Sequence, residues 1–354
     1  MSEFNLDSFI QSLISTSGLS GYEKPVRDLI TQTWLPLAAE LSTTPLGSLH
    51  ALKPGTAQTP RPKILLAAHM DAIGLMVTSV KDGFLHVTSI GGIDPRILPG
   101  QPVCVHGKQD LPGIIVQPPD NLLPSDVHDN PIPLEWLLVD IGYESQQVNE
   151  WVKPGDLVSF ASTPVKMGEN LISGHSLDDR ASIAALTVCL SELQHVQHAW
   201  DVIAAATVQE EETFGGAYTS SYAVLPDIAV AIDVTFAKSP GVSDYNTFPL
   251  GKGGALGFGP NIHPSIFNAF KELCIRLDIP YHTDVMPAHS GTDAYALQVA
   301  AEGIPTMVLS IPLRYMHTPV ETVDKRDIQR AGHLLAEFIG NLKSDFISSI
   351  TWDK

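Results

Sequence analysis

Val202-Ile203-Ala204-Ala205-Ala206-Thr207-Val208-Gln209-Glu210-Glu211-Glu212-Thr213-Phe214-Gly215-Gly216-Ala217 decides how the rest of this 354-residue chain is read. Its first seven residues are an apolar run of strand length, which predicts a buried strand. Three carboxylates follow at once, and Gly215-Gly216 opens a helix. Open α/β sheets place their ligand crevice at the carboxyl ends of strands. Three adjacent carboxylates repel one another and resist burial unless a cation compensates them. Taken alone, the stretch is equally a solvated acidic turn after a core strand. The residues it is read with elsewhere in the chain decide between the two.

The composition bounds the answer. There are 21 basic and 39 acidic residues, a formal charge of −18, and 44% of the residues are hydrophobic. That balance supports a large core and argues against nucleic acid or an anionic membrane as partner. It suits cationic ligands, or metal ions held by carboxylates. Cys104, Cys189 and Cys274 form no CxxC pair and read as small buried apolar residues of a reducing compartment. The N-terminus lacks the basic and apolar regions of a signal peptide, and no apolar run is long enough to span a bilayer. The expected location is the cytoplasm.

Outward from the central stretch, the chain divides by texture. Phe4 to Ile14 and Val26 to Trp34 each place apolar residues on one helical face, and Pro25 suits a first turn. Lys63 to Ala68 is an apolar strand. From Ile73 to about Val165, short β-like runs recur between Gly, Pro and Asp turns: Leu75–Val80, Phe84–Ser89, Pro102–His106, Gly113–Val116 and Leu157–Phe160. Pro118 to Pro133 reads as a turn-rich loop. Beyond Val165, α/β alternation resumes. It predicts helices over Leu177–Val196, Pro264–Leu277 and Asp324–Leu342, and strands over Ile228–Ile232 and Thr306–Ile311. The economical reading is one discontinuous α/β domain, 1–72 and 166–354, interrupted by a β-rich module over 73–165.

Polar side chains recur where these strands end or helices begin. His69 and Asp71 fall on the same side of an extended segment, where a carboxylate can orient a metal-binding imidazole. Asp178-Asp179-Arg180 opens the long helix. Aspartates there cap helices routinely, but the pair also suits one carboxylate bound to metal and one held by the arginine. Asp233 ends one strand, and His317 follows another in Arg314-Tyr315-Met316-His317-Thr318-Pro319. His69, Asp178, Glu211, Asp233 and His317 together offer two imidazoles and three carboxylates. A nitrogen and oxygen set without thiolate suits zinc, cobalt or manganese. With one aspartate bridging, two ions would each have three protein ligands and a shared water, and Glu210 would remain free as general base.

In order and spacing these motifs resemble the glutamyl/deblocking and tetrahedral aminopeptidases, a family of dinuclear metallopeptidases. The resemblance rests on His69-Met70-Asp71-Ala72-Ile73-Gly74, Leu177-Asp178-Asp179-Arg180, Val208-Gln209-Glu210-Glu211, Ile232-Asp233-Val234-Thr235, Gly291-Thr292-Asp293-Ala294 and Arg314-Tyr315-Met316-His317. It covers nearly the whole chain. It implies a phosphorylase/hydrolase-like α/β catalytic domain, a mixed sheet with helices on both faces, and an inserted β-barrel-like dimerisation domain. Two divalent ions per subunit, peptide substrates and a homo-oligomer built from dimers, commonly a dodecamer, are also implied. Carried over by position, Asp178 is the bridging ligand. His69 and Asp233 complete one metal, Glu211 and His317 the other. Glu210 is the base and Asp71 orients His69. Ala72 departs from the family's usual glutamate, and Glu212-Thr213-Phe214 from a more usual apolar-Gly start.

Two rival classes are glycoside hydrolysis by paired carboxylates and a non-catalytic, metal-stabilised assembly protein. Adjacent glutamates suit the first poorly, since acid and base must face each other across a sugar, about 5–9.5 Å apart. Alternation along an extended segment would send Glu210 and Glu212 one way and Glu211 the other. The β-rich module has exposed-edge potential, a further reason to expect contacts between subunits there.

Overall fold

The computed structural model describes residues 4–123, 127 and 131–350; part of the turn-rich loop from Pro118 to Pro133 lies outside these residues. An eleven-stranded mixed sheet organises the molecule. At its centre Asp201–Thr207, Lys63–His69, Ile228–Phe236 and Thr306–Arg314 run parallel in that spatial order. All four are near-continuous runs of buried residues, as expected for strands covered on both faces. Antiparallel strands extend the sheet on either side. The hairpin Glu40–Thr43 and Leu49–Lys53 lies beyond Asp201–Thr207, and Glu321–Asp324, Leu171–Gly174 and Val165–Met167 follow Thr306–Arg314.

Helix Leu177–Glu192 packs on the sheet, with Leu6–Ser15 and Lys325–Asn341 against it. Its residues from Leu177 to Leu190 are buried all round, which is why it shows no amphipathic stripe. Gly215–Val224 and Asp293–Gln298 form a second helical group on the same strands. A second hydrophobic cluster fills a closed six-stranded barrel, Gly74–Lys81, Phe84–Ile90, Leu138–Asp140, Asp110–Val116, Pro102–His106 and Leu157–Phe160. The mixed α/β fold with a separate small barrel is the architecture read from the sequence.

Several local expectations need correction. Closure pairs both sides of every barrel strand, so the barrel offers no free edge of the kind its texture suggested. Glu210–Thr213 is one turn of helix, not extended chain, so the alternation argument for the three glutamates does not apply. Asp178 and Asp179 lie outside helical backbone values, and regular helix begins only after them. Neither aspartate is held by Arg180. That guanidinium is fully buried and donates to the carbonyls of Leu13, Thr16, Gly18 and Met70, tying the turn after the first helix to the end of the Lys63–His69 strand.

Candidate metal centre

Parallel strands bring their carboxyl ends to one edge of the sheet, and registry fixes which residues meet there. Thr207 pairs with His69 and Asp233 with Ser310. His69 is the last residue of its strand and Asp233 lies in the carboxyl half of its own. The Glu210–Thr213 turn follows directly on Asp201–Thr207, and His317 follows Thr306–Arg314. Helix entry at Leu177 supplies Asp178. These residues line one cavity of about 560 Å³, whose other wall carries Val234, Phe236, Val285, Met286 and Met316.

The contacts within the set are close. His69 Nε2 lies 3.2 Å from Asp178 Oδ1 and 3.8 Å from Glu210 Oε2. His317 Nε2 lies 3.5 Å from Asp178 Oδ2 and 3.4 Å from Glu211 Oε2. Asp178 therefore faces both imidazoles, one with each carboxylate oxygen. Ligand atoms of His69, Asp178 and Glu211 fall within 4.8 Å of one another, as do those of His69, Asp179 and Asp233. Asp71 sits behind His69, its Oδ1 3.4 Å from Nδ1. The same carboxylate accepts the backbone N–H groups of Glu210, at 3.0 Å, and Glu211, at 3.2 Å. One buried aspartate thus sets both the imidazole and the glutamate turn.

Other acidic residues around this centre have contacts that the sequence reading did not give them. Glu321, itself buried, accepts the backbone N–H of Asp178 at 3.1 Å and that of His317 at 2.9 Å. It opens the short strand Glu321–Asp324, whose four residues are all buried although three of them are polar; its place four residues after His317 is the available signal. Asp179, also buried, accepts the backbone N–H of His69 at 3.2 Å. Asp293, quoted above without a function, is buried and accepts the Thr207 hydroxyl. Glu212 lines the same cavity, and its Oε1 accepts the N–H of Gly91 in a barrel loop at 2.6 Å.

The electrostatics ask for cations. Burial, reinforced by neighbouring carboxylates, raises Glu210, Glu211, Asp179, Asp233 and Glu321 well above the usual carboxylate range. Burial likewise lifts Asp293 to about 6. Burial would lower His69, but the Glu210 charge and the hydrogen bonds to Asp178 and Asp71 raise it well above the ordinary imidazole value. Asp71 is the exception. Burial works against its charge, but the His69 contact and the Glu210 N–H hold it below the usual value. So many buried carboxylates cannot all ionise beside two imidazoles, and divalent cations would relieve them. The donor set, oxygen and nitrogen without sulfur, fits zinc, cobalt or manganese.

The sequence model of the M42 glutamyl aminopeptidase family matches residues 47–334. The chain belongs to that family. It is therefore a peptide hydrolase of the M42 aminopeptidases, which sets aside the glycoside hydrolase and non-catalytic readings. Lysyl aminopeptidase of Pyrococcus furiosus is 35% identical over 342 residues, spanning 94% of this chain and 96% of that protein. The TET aminopeptidase of a marine sediment thaumarchaeote superposes with a TM-score of 0.92 at 27% identity, over 98% of this chain and 99% of that one. The TET1 peptidase of Pyrococcus horikoshii, which assembles into a tetrahedron or a large octahedral shell, gives a TM-score of 0.83 at 29% identity, over 96% of this chain and 100% of its own.

Proposed function

We propose that this M42 aminopeptidase removes N-terminal residues from peptides at a two-metal centre. The observation that carries the reading is that Asp178 faces both His69 and His317 from one carboxylate, with Glu211 beside it and Asp233 beside His69. In this reading His69, Asp178 and Asp233 would hold one ion, and Asp178, Glu211 and His317 the other. The ions are zinc or cobalt, with manganese a further candidate. Bound there, such a pair supplies Lewis-acid charge for the scissile carbonyl and lowers the pKa of water at the site.

The chain's own groups do the rest. Glu210 takes a proton from the attacking water and delivers it to the leaving amine. Asp71 holds His69 in its tautomer and fixes the Glu210 turn through two backbone hydrogen bonds. The free α-amino group of the peptide enters the acidic end of the cavity, and its first side chain meets the Phe236, Val285 and Met316 wall.

The same proposal covers organisation and place. Residues 73–165 form a dimerisation domain inserted into a discontinuous catalytic domain of 1–72 and 166–354. Dimers are the building block of a larger homo-oligomer, such as a dodecamer, with contacts made by the outer faces of the closed barrel. The protein acts in the cytoplasm, where Cys104, Cys189 and Cys274 remain free thiols. No described helix is long and apolar enough to cross a membrane.

A screen of aminoacyl anilides against aryl glycosides, with and without chelator, tests the reading. Hydrolysis of anilides alone, abolished by chelator, is the expected result. Cleavage of glycosides, or anilide hydrolysis indifferent to chelator, would overturn it.

A further inference from the structure

A second cavity, of about 380 Å³, lies between the barrel and the turn after the first helix, and none of the His69–His317 set lines it. On the Pro102–His106 strand, Val103 and Val105 point into the apolar barrel interior, so Cys104 and His106 point outward on the same face. Registry adds their neighbours. His106 pairs with Asp110 on one adjoining strand, and Cys104 pairs with Ser159 on the other. The result is a thiol, an imidazole and a carboxylate whose ligand atoms all lie within 4.8 Å of one another.

We propose that Cys104, His106 and Asp110 bind a zinc-class divalent cation, with the cavity holding the fourth ligand. His106 Nδ1 lies 2.8 Å from Asp110 Oδ1 and 4.0 Å from Cys104 Sγ. Tetrahedral zinc with sulfur and nitrogen ligands sets such atoms roughly 3.3–3.7 Å apart. The imidazole–carboxylate contact opens, and the imidazole–thiol contact closes, by a few tenths of an ångström. The other ring nitrogen, Nε2, is 2.8 Å from Ser159 Oγ, the outer contact that orients a metal-binding histidine. Ser17 Oγ approaches the same nitrogen at 3.4 Å, so the cation would sit at the seam where the first helix meets the barrel. A mixed sulfur, nitrogen and oxygen set selects zinc or cobalt over magnesium or calcium. Burial and the Asp110 charge raise the Cys104 thiol, so cation uptake releases its proton. Arg180 also lines the cavity, with its charge spread over the backbone carbonyls it bonds.

A thiolate makes the site distinguishable from the catalytic centre, whose cavity is lined by no cysteine; Cys189 and Cys274 are buried in the α/β core. The test strips the full chain of metal and reloads it with cobalt(II). A thiolate-to-cobalt charge-transfer band is expected in the near ultraviolet. It should vanish in Cys104→Ser and in His106→Gln and persist in Glu211→Gln. Equilibrium dialysis should show Cys104→Ser binding about one ion fewer per chain than the unaltered protein, whatever the catalytic centre holds. Retained anilide hydrolysis in Cys104→Ser would show that its fold is intact. Absence of the band from the unaltered protein, or equal metal content in both, would reduce the cluster to a His106–Asp110 ion pair beside a free thiol and overturn the proposal.

Discussion

A glutamine at position 210 keeps the size and shape of the glutamate but cannot accept a proton from water. Glu210→Gln should therefore retain bound metal while kcat falls about 10²–10⁴-fold, the usual worth of a general acid–base group. Glu211→Gln should instead lower metal occupancy, and excess metal should recover part of its activity. Glu212 contacts a barrel N–H and neither histidine, and glutamine preserves that acceptor, so Glu212→Gln should change little. Activity and bound metal measured on the three variants check the assignment; a dead, metal-replete Glu212→Gln beside a normal Glu210→Gln contradicts it. Glu321 gives a prediction that sequence reading could not supply. It fixes the backbone of Asp178 and His317 together, so Glu321→Ala should weaken metal binding about 10–100-fold, as lost outer-shell contacts do. Metal titration of the stripped variant measures it. His69, Asp178, Glu210, Glu211, Asp233 and His317 could be singled out because each stands near a strand end or a helix start, and the family resemblance supplied the role expected of each. Glu321 was not, and Asp179 was noticed but given the wrong partner, because both accept backbone N–H groups, which leave no mark on residue type.

At the scale of elements, one geometric fact made the centre readable: parallel strands present their carboxyl ends to a common edge. Four apolar runs could be assigned as such strands without knowing their order. The strand Gly254–Phe258 was missed because its Gly-Ala-Leu-Gly-Phe sequence carries few β-branched residues, and Leu138–Asp140 because it is three residues long. The Glu210–Thr213 helical turn was missed because four residues are too few for a period to show. Arg180 shows how elements are fastened to one another. The arginine was read as a counter-charge, but it serves backbone carbonyls of the first helix and of the segment after His69. Arg180→Ala should cost about 3 kcal/mol or more, since each orphaned buried carbonyl costs ~1–3 kcal/mol. Urea unfolding measures the loss, and a variant of unaltered midpoint would show that the carbonyls find other donors.

For the whole molecule, the buried carboxylates set a pH dependence whose sign is fixed. Carboxyls raised in the folded state bind more protons folded than unfolded, so their penalty is absent below their ordinary pKa and grows as pH rises. His69, also raised, contributes stability that is present below its ordinary pKa and lost as pH climbs through its folded value. Both effects point the same way. Metal-free protein should lose stability from about pH 4 upward, through Asp293 at about 6 and beyond, and added metal should raise Tm most at the alkaline end. Thermal scans of stripped and loaded protein across that range check it. At the same scale, light scattering should find a homo-oligomer at micromolar concentration, and a clean monomer would contradict the proposed barrel contacts. The most direct test of the central claim is a metal titration of stripped protein carrying Cys104→Ser, with anilide hydrolysis and bound metal followed together. Activity should be absent at the start and level off near two ions per chain. Full activity in the metal-free protein would contradict the account.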